Sequence, residues 1–262
     1  MSTTALPTPA AAPARAALPT RDALHAEWIK LRSLRGTSVS LVAVLLATAG
    51  IQMLTAAAIG SAEDGSMGQD PMFAAFYGLM FGQIAAISFG ANAFASEFHD
   101  NALRVTLTSV PNRTRFYLSK LLAVGGLAFL TGQATAFTTF LGGQAFMGRY
   151  ALGLGDDGAL RATVGCGLYL TLISLFAAGL TAVFRSAAAT LSILIPFMLI
   201  VSFVVGDVVG GAAQYLPDRA GQMVMRVEPY GELGPWSGLG VMALWTAAAL
   251  AAGWLAVRRR DV

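Results

Sequence analysis

Long uncharged runs set the terms for this chain. Residues 39–59, 73–94, 121–146, 164–184, 187–206 and 236–257 contain no acidic or basic side chain. Each is about 20 residues or longer, the length an α-helix needs to cross the ~30 Å hydrocarbon core of a bilayer. The composition agrees, with 56% of the 262 residues hydrophobic and 12% charged, where a soluble domain carries roughly 25% charged residues. The expected fold class is all-α, a polytopic membrane protein with six transmembrane helices.

The connections between the runs carry the remaining information. Residues 1–19 are rich in Ala, Pro and Thr with one cation, Arg15, and read as a disordered tail. Residues 20–36 read as an amphipathic helix lying in the membrane interface, with Thr20 as its cap, Trp28 at headgroup depth and Lys30 and Arg32 reaching phosphates. Residues 37–262 form the membrane domain. Gly78 and Gly82 make a small-xxx-small pair that permits close helix approach. Arg185 and Ser186 alone separate the fourth run from the fifth, which makes those helices antiparallel neighbours. Pro196 removes a backbone donor within the fifth run and should kink it. The 207–235 loop is too long for a simple connector and is expected to fold back into the outer face.

Counting cations orients the chain. The side that holds both termini carries Arg15, Arg21, Lys30, Arg32, Arg35, Arg104, Arg113, Arg115, Lys120, Arg185 and Arg258 to Arg260, 13 of the 17 Lys and Arg residues. The positive-inside rule then puts both termini in the cytoplasm of a multi-pass plasma-membrane protein. The net charge of +3 follows from this asymmetry. Nucleic acid is not an expected partner, because no basic patch alternates with exposed aromatics.

Several chemistries are disfavoured. No carboxylate sits in the middle of a run, where an ion-driven transporter needs one. His25 and His99 are the only histidines and lie at or beyond the cytoplasmic boundary, and Cys166 is the lone cysteine. An intramembrane protease or a metal site therefore lacks its parts. The lysines, Lys30 in AEWIKLR and Lys120 in YLSKLL, do not follow a Gly-rich turn, so no P-loop is present. The chain reads as a non-enzyme without a cofactor, and any ATP energy has to come from another subunit.

The charged stretch between the second and third runs, residues 96–120, SEFHDNALRVTLTSVPNRTRFYLSK, is the remaining input for energy. Glu97 leaves the second run; Arg104, Thr106 and Leu107 lead to Pro111, Arg113 and Arg115; Lys120 opens the third run. This order resembles the permease subunits of type-2 ATP-binding cassette (ABC) transporters. In that family an acid leaving the second helix precedes a short helix, a Thr-Leu step, a proline and basic residues. The stretch EWIKLRSLRGT resembles the start of the family's actinobacterial members, whereas Asn101-Ala102 stands where many members have Gly-Thr.

The resemblance implies an exporter permease with a cytoplasmic coupling helix between helices two and three, docked on a separate ABC ATPase subunit. Phe98, Leu103 and Leu107 would bury in that partner, while Glu97 and Arg104 pair with charges at the rim. Residues 111–120 would set the third helix at the surface, with Arg113, Arg115 and Lys120 as anchors to lipid. The resemblance also implies a homodimer or a heterodimer with a related permease. A lipophilic or drug-like substrate, an antibiotic included, would pass between the first, second and fifth helices, along a strip of Gln52, Gln83, Asn92 and Phe197. The alternative is a non-transporting scaffold or immunity protein whose cytoplasmic loop binds a different partner.

Overall fold

The computed structural model describes residues 26–30, 35–61, 70–98, 102, 106, 112–201, 204, 210–227 and 231–259. Every regular element among them is helical: α1 (Arg35–Gly60), α2 (Pro71–Ala74), α3 (Leu79–Ala95), α4 (Arg113–Phe146), α5 (Ala159–Phe184), α6 (Ala187–Pro196), α7 (Pro217–Gln222) and α8 (Pro235–Arg259). Four helices are long and apolar enough to cross a membrane, namely α1, α4, α5 and α8. This is a membrane protein by the length and composition of those helices. The expected tail at 1–19, and all of the expected interfacial helix except 26–30 and 35–36, fall outside the described residues; 26–30 are helical.

Helix α5 is the hub, packed against α3, α4, α6 and α8, and α1 closes the other side against α3 and α4. The core around α5 includes Phe76, Ile87, Phe140, Tyr169, Leu170 and Met242. A second core, with Phe89, Phe94, Tyr117, Val124 and Val257, fills the end where α3 and α8 stop and α4 starts. That end also holds Lys30, Arg113, Lys120, Arg185 and Arg258 and is called the basic end below.

The second apolar run differs from the straight span expected, and the fifth is disturbed at Pro196, where a kink was expected. The second begins with Asp70, whose carboxylate accepts from Phe73 N and caps α2, with Pro71 in the first turn. It then tightens through residues 75–78 before α3, with Phe76, Tyr77 and Leu79 bonding to carbonyls three residues back. The Gln52 side chain braces the break from α1: its Nε2 donates to Ala74 O and its Oε1 accepts from Gly78 N, both at 3.2 Å. A buried backbone group that lacks an intrahelical partner requires such a substitute. Gly78 and Gly82 place this run directly against Thr48 of α1, where a Cβ on either glycine would overlap it. The glycine pair thus serves packing within the chain.

In the fifth run, Pro196 ends α6 and the hydrogen-bonding pattern widens into a π turn over Phe197–Val201, the irregularity expected where proline removes a donor. Residues 202–203 and 205–209 lie outside the described residues. The tight turn is as read from sequence: Arg185 in the left-handed region (φ 55°) ends α5, and Ser186 Oγ caps α6 through Ala189 N. Thr181 Oγ1 then donates to Thr190 Oγ1 across the pair at 2.9 Å. Of the long loop, residues 210–227 do fold back, with α7 and the turn Met223–Met225 buried against α5 and α8.

The clamp at Gln52 is testable. Gln52→Ala leaves Gly78 N without a partner in the interior, whereas Ala74 O keeps Tyr77 N, and should destabilise the protein by about 1–3 kcal/mol. The expected readout is a lower midpoint in reversible denaturant unfolding of the detergent-solubilised protein, and Gln52→Glu should not restore it. An unchanged midpoint for Gln52→Ala would remove the clamp.

Candidate functional site

Both lysines of the chain converge on one carboxylate. Glu97 follows the C-cap of α3, Ser96, inside a turn closed by Glu97 N to Phe94 O and Phe98 N to Ala95 O. Its side chain is fully buried. Glu97 Oε1 accepts from Lys120 Nζ of α4 at 2.7 Å and from Lys30 Nζ of the 26–30 helix. Thr106 Oγ1 donates to Ala102 O at 2.9 Å and lies 3.4 Å from Glu97 Oε2, at the outer limit of bonding distance. Lys120 Nζ lies 2.9 Å from Glu27 Oε2, one helical turn before Lys30. Two acids and two bases make the group neutral, a condition for keeping it out of water.

The electrostatics follow from this geometry. Burial alone would push the Glu97 carboxyl up, but the charges and hydrogen bonds of Lys120 and Lys30 outweigh it and hold the carboxyl below the usual carboxylate range. Glu97 is therefore an anion at neutral pH and a fixed negative centre for three chain segments. Those are the 26–30 helix, the start of α4, and the stretch that leaves α3 and contains Thr106.

Two cations expected at the lipid surface are placed differently. Lys120 has no exposed side-chain area, because it lies between Glu27 and Glu97. Lys30 is partly exposed but carries its ammonium to Glu97. Arg113 is also engaged within the chain: its Nη1 donates to Val257 O and Arg258 O at 3.1 and 3.2 Å, satisfying carbonyls at the end of α8. Arg115 is half-buried on α4, and Trp28 is 37% exposed beside the junction. Asn112 Oδ1 caps α4 through Thr114 N and Arg115 N, which fixes where these cations fall. Arg32, Leu103, Arg104 and Leu107 lie outside the described residues.

Glu97, expected at an exposed docking rim, instead points inward. Phe98 is half-buried, its ring 5.9 Å from that of Phe94 with the Arg185 guanidinium 5.9 Å away. The substrate-strip residues are dispersed. Gln52 is engaged with the backbone break. Gln83 Oε1 accepts from the Tyr169 hydroxyl at 2.7 Å inside the bundle. Asn92 and Phe197 are half-buried on separate helices. Among the described residues, no three His, Cys, Asp or Glu side chains gather where they could hold a metal ion.

No family model matches the chain, and no curated protein matches it.

Glu27 and Thr106 are the members of the junction that the sequence reading did not assign. One signal for Glu27 was present: it stands three residues before Lys30, on the same face of a helix. Thr106 has no such spacing signal, since Glu97 is nine residues away in sequence.

Lys120→Met should leave the Glu27 and Glu97 carboxylates short of their buried cation and cost about 3–5 kcal/mol. Adding Glu97→Gln should recover part of the loss, as read by denaturant midpoints of single and double variants. The pH dependence has a definite sign. Because the folded pKa of Glu97 is lowered, its contribution is present above the unfolded value of 4.5 and is lost as pH falls through the lower folded value. Melting temperature should therefore fall as pH drops from 4.5 towards the lower folded value, and less steeply in Glu97→Gln.

Proposed function

We propose that this chain is the membrane-spanning permease subunit of an ABC exporter that moves a lipophilic or drug-like substrate outward with ATP hydrolysed by a separate subunit. The observation that supports it best is the Glu97 junction. The segment that the family resemblance assigns to ATPase docking, Ser96 to Val110, opens with Glu97, whose carboxylate holds the 26–30 helix and α4 and lies 3.4 Å from Thr106 Oγ1 within the same segment. A push on Glu97 from a partner meets a buried ionic joint. The joint passes displacement to the base of α4 and to the N-terminal helix together. Both lysines are committed to Glu97, which fits a chain that leaves phosphate binding to another subunit.

In this reading the two shorter apolar helices, Leu79–Ala95 and Ala187–Ile200, belong to the second and fifth of six spans. The basic end faces the cytoplasm, and a second permease copy or relative completes the pore. Gln52 and Gln83 serve the fold in the state described here. Substrate contact then falls to Asn92, Phe197 and groups uncovered when helices move.

Two experiments bear on this. The chain should co-purify with an ABC ATPase subunit from its host and stimulate that subunit's ATP turnover. Glu97→Gln should lower that stimulation at least about tenfold, a loss of roughly 1.4 kcal/mol in coupling, while the complex still assembles. Full stimulation in Glu97→Gln would remove the coupling role, and absence of any ATPase partner would remove the exporter reading. Separately, Asp64→Cys should react with an impermeant thiol reagent on intact cells. Reaction only after lysis would reverse the orientation.

A further inference from the structure

The folded-back segment carries polar groups into the bundle at the end opposite Glu97. Pro217, Asp218, Gln222, Met223 and Val224 are buried. A Cβ on Gly165 of α5 would overlap Val224, and one on Gly221 would overlap the Tyr169 ring. At 1.5 Å per residue these contacts lie about 9 and 15 Å along α5 from its first residue. The segment is therefore wedged among helices and does not rest on their tips. α7 packs mainly on α8.

A polar cluster lies where the segment meets α3 and α5, and its bonds are unequal. Tyr169 Oη donates to Gln83 Oε1 at 2.7 Å, joining α5 to α3. Gln222 Nε2 reaches the same oxygen at 3.4 Å and the Tyr169 hydroxyl at 3.5 Å. The first is a short, strong bond, and the other two stand at the outer limit of bonding distance. If the segment leaves, Gln83 and Tyr169 keep each other. Gln222 then needs a new partner, which water can supply.

The ends of the segment are held together and apart from this cluster. Gln214 Oε1 accepts from Glu232 N at 2.8 Å and Leu233 N at 3.2 Å, which closes a neck. Trp245 Nε1 of α8 donates to Tyr215 O at 2.9 Å beside it. The other tether is at the surface, where Val227 N donates to Asp70 Oδ2 at 3.1 Å and the Arg226 guanidinium lies 4.1 Å from the Phe73 ring centre. Arg161 Nη2 donates to Arg226 O at 2.6 Å. The neck is built on α8, whereas the surface tether reaches across to the second run.

We propose that residues 217–225 are a lid over the Gln83–Tyr169 pair: they part from α3 and α5 as one body while seated on α8, with the Gln214 neck as pivot and Gln222 as a weak latch. This inference stands on the packing and bond lengths alone and does not depend on the export reading. What the lid uncovers is an uncharged hydrogen-bonding pair set in apolar walls, suited to an uncharged polar group on a lipophilic molecule.

The test uses the full chain in lipid nanodiscs and a water-soluble maleimide, in a Cys166→Ala background. Val224→Cys replaces a fully buried side chain seated on Gly165, and Ala178→Cys, fully buried in the core at the basic end, serves as the reference. Val224→Cys should label well ahead of the reference. Gln222→Met should speed its labelling roughly threefold to tenfold, as expected for losing one or two weak hydrogen bonds, and leave the reference unchanged. The lid is overturned if Val224→Cys labels no faster than the reference, if Gln222→Met has no effect, or if it speeds both sites equally. Hydrogen exchange on the unsubstituted chain checks the same motion without a variant. Residues 217–225 should exchange as a block ahead of the middle of α5, and equal protection would overturn the lid.

Discussion

A buried carboxylate between two lysines is the constraint on which the basic end of this protein depends. An isolated charge at a fully buried position would neutralise or move to water. Glu97 stays charged because Lys120 and Lys30 reach it from different elements. Each lysine in turn is held in place by the acid, with Glu27 completing the set on Lys120. The consequence is mechanical as well as electrostatic: the 26–30 helix, the exit of α3 and the base of α4 are tied at one point. The rest of that end is finished by smaller devices. Arg113 bonds the last carbonyls of α8, Trp254 Nε1 donates to Thr114 Oγ1 at 3.1 Å, and Tyr117 Oη donates to Leu250 O at 2.8 Å.

Within the bundle, polar side chains are used to mend irregular backbone and to join helices. Gln52 supplies Gly78 N with a partner where the second run breaks and adds a second bond to Ala74 O. Ser174 Oγ, near the middle of α5, bonds Ala86 O of α3 at 3.1 Å as well as its own Leu170 O. Gln83 and Tyr169 join the same two helices further along. A side chain in such a bond is not free to line a path for substrate in this conformation. That shifts attention to the surfaces that part if the 217–225 segment lifts.

Long uncharged runs made the helical fold legible, because period and length need no tertiary information. The Arg185–Ser186 turn and the disturbance at Pro196 were legible for the same reason: each depends on one or two local residues. The break in the second run was not. Residues 73–94 carry no charge and no proline, and the break depends on Gln52, some 20 residues earlier, which supplies Gly78 N with its missing partner. Lys120 misled for a related reason. A cation at the start of an apolar run ordinarily reaches for headgroups, and only the arrival of Glu97 and Glu27 from elsewhere turns it inward. The importance of residues 96–120 could be read from their charge, whereas the division of labour within them needed contacts made across the fold.

The central claim is that Glu97 joins separate elements through its two lysines, and a double-mutant cycle between Lys30→Met and Glu97→Gln measures this most directly. The two residues are 67 apart in sequence, so any coupling between them is tertiary. Denaturant unfolding of the two single variants, the double variant and the unsubstituted chain should give a coupling energy of about 1–3 kcal/mol. Additive effects, with coupling within about 0.3 kcal/mol of zero, would contradict the account.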